Sequence, residues 1–269
     1  IYGSVSVGAD SYAGLSVSWG GQVGPRDMEI SGPYNVAEGA FTPNFTATFE
    51  DVTAPTDTEP ADPYQLPYTK RVVVSNQWSS WTENRYINSE TLGEDDTETK
   101  LRLLSLTVDG DGTLTIKGDV TLVLTSYSEA MKIVGSGEIV LADDASLTIY
   151  VEGDVEIAGA GVLNTGAPED FQLWSTSTTP DSQEIDILGS GTLSGIIYAP
   201  NSHLNVPGGT NLYGAAVVGS ATFSGSGAFH YDESLKNKGF GGSSMEISSY
   251  SELTDADERE AVKNRFLAL

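Results

Sequence analysis

Residues Gly191–Leu235 read GTLSGIIYAPNSHLNVPGGTNLYGAAVVGSATFSGSGAFHYDESL, and this run sets the architecture. Its apolar pieces Leu193–Ala199, Leu204–Val206, Ala215–Val218 and Ala221–Phe223 have strand length, with almost no charge between them. Glycines and the breaks Pro200-Asn201 and Pro207-Gly208-Gly209 interrupt the series. Proline supplies no backbone donor and glycine reaches positive φ at little steric cost, so these positions read as corners rather than strand centres. Short strands joined by tight corners are the pattern of a stacked coil.

The same punctuation extends upstream. Leu101–Val108, Thr113–Ile116, Val120–Leu124, Met131–Val134, Glu138–Leu141, Ser146–Val151, Val155–Ile157 and Ile185–Leu188 are strand-length runs between glycine-centred breaks. Gly-x-Gly triplets start at Gly110, Gly135 and Gly159, steps of 25 and 24 residues, and Gly118-Asp119-Val120 is echoed by Gly153-Asp154-Val155. Steps of that size belong to solenoid repeats. A β-sandwich, the alternative, favours two-residue hairpins, yet Asp-Gly occurs only within Asp109–Gly112 and Asn-Gly nowhere. The predicted fold is all-β, a parallel β-helix with a Pro-rich acidic strap and a short C-terminal amphipathic α-helix.

Five segments result. Residues 1–32 read as N-terminal β coils, through Ser4–Val7 and Leu15–Trp19. Residues 33–70 carry six of the prolines among Thr, Asp and Glu, and read as a strap or linker lying along the body. Residues 71–235 form the main β-helix and 236–250 a Gly/Ser-rich tail. In 251–269, Thr254–Asp257 resembles a capping box, and Val262, Phe266 and Leu269 share one helical face. That helix has two candidate roles, covering the open end of the coil or docking on a partner.

With 38 acidic against 13 basic residues the formal net charge is -25. Such a surface repels phosphate backbones and anionic headgroups, so nucleic acid is not an expected partner; cationic partners and divalent ions suit it better. There is no cysteine, hence no disulfide framework, thiol nucleophile or zinc-thiolate site. No apolar run reaches the ~18 residues of a membrane span. A chain opening on Ile1 implies that an export signal or anchor lies upstream.

Candidate chemistry is sparse. Asp109 and Asp111, alternating with Gly110 and Gly112, offer hard oxygen ligands and make calcium the one metal to consider. The EF-hand template fails there, because Leu114 stands at position six and Val120 at position twelve; a structural corner explains the residues as well. Trp78, Trp81 and Tyr86, with Trp174, supply flat apolar faces on which sugar rings can stack, or a lid over the core. The two histidines, His203 and His230, lack a Gly-x-Ser-x-Gly partner, although Asp232 lies near His230 in sequence. A glycosidase needs two carboxylates ~5–9.5 Å apart, and Asp119 and Asp154 occupy analogous repeat positions that could stack on one face; their shared Gly-Asp-Val context reads more simply as a repeated turn. Basic residues are not grouped as uronate lyases would require. No enzyme and no cofactor are expected.

Leu147–Asn164 (LTIYVEGDVEIAGAGVLN), Ile196–Val206 (IIYAPNSHLNV), Tyr213–Gly227 (YGAAVVGSATFSGSG) and Phe229–Leu235 (FHYDESL) resemble the C-terminal β-helical domain of PilX-like, type IV pilus-associated bacterial surface proteins. The resemblance implies a right-handed parallel β-helix, the hand that parallel crossovers in general share, together with an extracellular or cell-surface location and a non-catalytic structural or adhesive role. It also implies partners among other surface or pilus proteins or further copies of the chain. A carbohydrate-binding adhesin is the alternative, and a polysaccharide-degrading β-helix enzyme a more distant one.

Overall fold

The computed structural model describes Val36 and residues 49–59, 90–189, 192–226, 228–232 and 234–235 in full, and the backbone of 5–6, 41–42, 60, 65–66, 69–75, 80–86 and 89. Most of the predicted N-terminal coils, the tail 236–250 and the helix 251–269 lie outside the described residues. Two compact units divide the chain, 1–232 and 233–269, and every strand belongs to the first.

The strands come in a repeating order. β1 (Val5–Ser6) and β2 (Phe41–Thr42) pair with each other in parallel, and β3 (Glu59–Pro60) and β4 (Gln65–Leu66) begin the large sheet. β5 (Thr69–Ser75) and β6 (Ser80–Tyr86) form an antiparallel pair. Coiling then proceeds three strands to a turn. The first turn is β7 (Ser89–Leu92), β8 (Glu98–Leu103) and β9 (Ser105–Val108), and the second is β10 (Thr113–Ile116), β11 (Asp119–Leu124) and β12 (Glu129–Ile133). The third is β13 (Glu138–Leu141), β14 (Ser146–Val151) and β15 (Asp154–Ile157). β16 (Gly161–Leu163), β17 (Phe171–Ser175) and β18 (Gln183–Ile187) complete the fourth. β19 (Thr192–Val206), β20 (Asn211–Phe223) and β21 (Ala228–Tyr231) finish the stack.

Each strand pairs in parallel with its counterpart one turn away, so the coil has three faces. The first runs β3-β8-β11-β14-β17, the second β4-β9-β12-β15-β18, and the third β7-β10-β13-β16. β19 joins the first two, pairing with β17 through Gln172–Trp174 and with β18 through Gln183–Asp186. This is the parallel β-helix that the sequence predicts.

Alternation explains the core. In β14, Leu147, Ile149 and Val151 point inward and are fully buried, while Thr148 and Tyr150 point outward. Register stacks the inward residues in columns: Leu101, Leu122, Ile149, Leu173 and Ile197 on the first face, and Leu106, Met131, Val155, Ile185 and Leu204 on the second. A shift of one residue would turn each column outward, so burial holds the register. On the second face the steps are 25, 24 and 30 residues and then 19 between Ile185 and Leu204, where the turn no longer includes a separate third-face strand.

Glycine forms one corner column. Gly110, Gly135, Gly159, Gly189, Gly208 and Gly225 all have positive φ, at successive turns. A Cβ on Gly159 would lie 2.4 Å from the Gly135 carbonyl oxygen and one on Gly225 2.3 Å from that of Gly208. Gly110 begins the column and has nothing within 4 Å of that position. Conformation favours glycine at all six places, although Asp96, Asp144 and Asp181 adopt a similar φ elsewhere, and close approach of the backbone below requires it at Gly159 and Gly225.

Two corners differ from their predicted form. Leu101–Val108 is not one strand: it bends at Leu104, which is 51% exposed, and feeds two faces. Pro200-Asn201 does not end a strand; β19 passes through it, with a register shift between Ala199 and His203 that turns the corner while pairing to β20 continues.

Residues 49–58 run as an extended strap outside the first face. Glu50 O accepts from Tyr198 Oη at 3.1 Å, Asp51 Oδ1 accepts from Asn201 Nδ2 at 3.0 Å, and Asp57 Oδ2 accepts from Lys100 Nζ at 3.0 Å. β3 then pairs with Leu101 and Arg102 of β8.

Candidate functional site

Register builds an outward ladder on the first face: Arg102, Val123, Tyr150, Trp174 and Tyr198 stand on consecutive turns. Outward residues of a solenoid normally meet water, yet Val123 is 7% exposed and Trp174 6%. Ring packing along the ladder and the strap's hold on Tyr198 are the contacts around it. Trp174 and Tyr198 rings lie 5.0 Å apart, Phe49 of the strap meets Tyr198 edge-on at 6.4 Å, and Trp174 Nε1 donates to Gln172 Oε1 at 3.1 Å. Burial pushes the Tyr198 phenol above its ordinary range, helped by the nearby Glu50. It raises the Tyr150 phenol likewise, with Lys100 pulling the other way. At the strap's other end the hydrogen bond from Lys100 lowers the Asp57 carboxyl, and Glu98, then Asp57, raises the Lys100 ammonium.

The second face carries a polar groove of about 400 Å³ lined by Asp154, Asp181, Ser182, Gln183, Glu184, His203 and Ser220. β18, β19 and β20 place Glu184, His203 and Ser220 on one outward column, and the loop between β17 and β18 brings in Asp181. His203 Nδ1 lies 2.7 Å from Ser220 Oγ and Nε2 3.2 Å from Thr222 Oγ1. Ser220 Oγ in turn donates to Asp181 Oδ1 at 3.2 Å. Asp154 Oδ1 accepts from the Glu184 backbone N–H at 2.9 Å. Below the groove Gln183, 2% exposed, donates to the Gly153 carbonyl and accepts from Ser202.

Serine, histidine and aspartate meet here, but in an order that differs from a hydrolytic triad. In the triad the imidazole bridges hydroxyl and carboxylate, so that it takes the serine proton and the carboxylate steadies the resulting cation. Here Ser220 occupies the bridge, its proton is committed to Asp181, and Thr222 holds the far side of the ring. The group can present hydroxyls, a carboxylate and an imidazole to a polar ligand. Sequence reading missed it because Asp181, His203 and Ser220 are brought together only by two turns of coiling; the 17-residue spacing of His203 and Ser220, matching one late turn, is the signal that could have found it.

The residues singled out in the sequence are dispersed. Asp109 and Asp111 flank Gly110 in the exposed turn between β9 and β10, closed by Gly112 N–H donating to Asp109 O at 3.0 Å. Among the described residues no three His, Cys, Asp or Glu side chains converge as a metal site. Trp81 and Tyr86 lie in β6, Trp78 is outside the described residues, and Trp174 is buried against Tyr198 on the first face. Asp119 and Asp154 do not share a face: Asp119 opens β11 on the first and accepts from Ser146 Oγ at 2.7 Å, whereas Asp154 opens β15 on the second. Their common Gly-Asp-Val context marks a strand start, and strand starts occur on every face. His230 stacks on Tyr213 with rings 4.3 Å apart, one turn above it. Among the described residues no helix is long and apolar enough to cross a membrane.

Fold and site together define a parallel β-helical domain with one strapped face and one open polar face. The chain belongs to the family described as Domain of unknown function (DUF7305), whose model matches residues 72–238. No curated protein and no solved structure matches it.

Proposed function

We propose that this domain is a non-catalytic structural or adhesive module of the bacterial cell surface, a stiff coil that presents its open second face to other surface or pilus proteins or to further copies of the chain. The observation that supports this best is the regularity of that face. Two outward columns run along it at one side chain per turn. Asp154, Glu184, His203 and Ser220 form one; Lys132, Glu156, Asp186, Asn205 and Thr222 form the other. Their spacing is the ~4.8 Å of neighbouring strands. Many are tied sideways, Asn205 Nδ2 to Asp186 Oδ1 at 2.8 Å and Lys132 to Glu129 and Glu156. Such an array is regular and pre-ordered, and binding it costs little side-chain entropy. The resemblance to pilus-associated β-helical domains and the lack of clustered basic residues favour the same reading.

Immunogold electron microscopy of the native cell, with antibody to this domain, tests it. Label on the outer surface or along filaments is expected; label confined to the cell interior overturns the reading.

A further inference from the structure

We infer that residues 49–58 are a clamp that couples the first turn of the coil to the fifth, and that the Tyr150–Trp174–Tyr198 ladder is its seat. A solenoid is held by nearest-neighbour contacts, so its end turns can open one at a time. The strap adds contacts of another kind. Tyr198 Oη to Glu50 O and Asn201 Nδ2 to Asp51 Oδ1 join residues 148 and 150 apart, on β19, and Lys100 Nζ to Asp57 Oδ2 joins the same strap to β8. Between these anchors lie β11, β14 and β17.

The lengths agree. Four strand spacings separate Arg102 from Tyr198, about 19 Å at ~4.8 Å each. Seven residues from Glu50 to Asp57 reach about 23 Å when extended. The strap therefore crosses the turns nearly taut and perpendicular to the strands. Proline at position 55 suits that extended path. Among the described residues no hydrogen bond holds 52–56; the strap is fixed at its ends by the polar anchors and by Phe49 on Tyr198, and the low exposure of Val123 and Trp174 between those ends is what a seated strap requires. To open β19 away from β17, the strap must leave Tyr198 and uncover Trp174. Peeling of a single turn is thereby converted into an event that exposes the whole ladder. In a surface module under tension, this would resist unwinding from an end.

The clamp deepens the structural-module reading, but the two fail separately: label inside the cell would leave the clamp intact, and a clamp without effect would leave the location intact. The test uses the full chain with residues 53–56 replaced by a site-specific protease sequence, compared before and after cutting by hydrogen-exchange mass spectrometry. Expected after cutting is exchange at least tenfold faster in β8 and β19, the two ends of the strap's span, with β14 much less changed. Equal exchange before and after, or the same acceleration in every strand, overturns the clamp. Asp51→Ala with Tyr198→Phe, which removes two anchors without cutting, is expected to speed β19 selectively by a smaller factor; no change in β19 in this variant or acceleration of β8 and β14 by the same factor counts against it.

Discussion

The first and second faces are built on the same interior and finished differently outside. Both have inward columns of Leu, Ile, Val and Met, and both pair in parallel through every turn. Outside, the first face carries the ladder Val123, Tyr150, Trp174 and Tyr198 and holds the strap at Tyr198 and Lys100, whereas the second carries carboxylates, hydroxyls and His203 in the open. The repeat therefore supplies the rod, and the outward positions, free of the core's demands, decide how each side is finished: one holds the chain's own strap and the other keeps an open polar groove.

The contrast between the faces is tested hardest at the centre of the covered ladder. Trp174→Ala removes a large side chain that is 6% exposed, and such a change costs about 3 kcal/mol or more. Thermal unfolding followed by circular dichroism should show a midpoint lowered by roughly 6–12 °C. A shift under about 2 °C would mean that the strap does not seal the face.

Alkaline titration comes next. Burial raises the Tyr150 and Tyr198 phenols in the folded chain above their usual value of 10.0. The folded state then holds these protons more firmly than the unfolded one, so their contribution is complete below about pH 10 and declines as pH rises through the folded values. Stability measured by denaturant midpoint should fall above about pH 10. Tyr150→Phe with Tyr198→Phe should flatten that slope; an unchanged slope would place the phenols in water.

On the open face the same measurements should register almost nothing. His203→Gln, despite the ring's bonds to Ser220 and Thr222, is expected to change stability by no more than about 0.5 kcal/mol, as exposed substitutions do. A loss of several times that would make the Asp181–Ser220–His203–Thr222 chain a structural staple and remove the distinction between the faces.

Much of the coil was legible in the residues. The Gly-x-Gly steps at 110, 135 and 159 fall on the corner column, and the short alternating runs fall on strands. Legibility failed where a signal belonged to the stack rather than to the local chain. Leu101–Val108 has no glycine or proline at Leu104, so its corner left no mark. The Pro200-Asn201 break looked terminal because the continuing ladder to β20 is supplied by residues 17–19 positions away. For Trp174 the sequence favours a packing residue over a sugar platform but does not show its neighbour, since Tyr198, on which it packs, stands one turn further on and is met in turn by Phe49 of the strap, more than a hundred residues earlier.

Local chemistry was enough to specify the repeat, because alternation, glycine corners and proline breaks act within a few residues and each leaves its own trace. Which outward side chains meet depends on the number of residues in each turn. That number varies from 30 to 17 along the second face, so Asp181, Ser220 and His203 converge, and Asp119 and Asp154 part, only when the turns are wound and stacked.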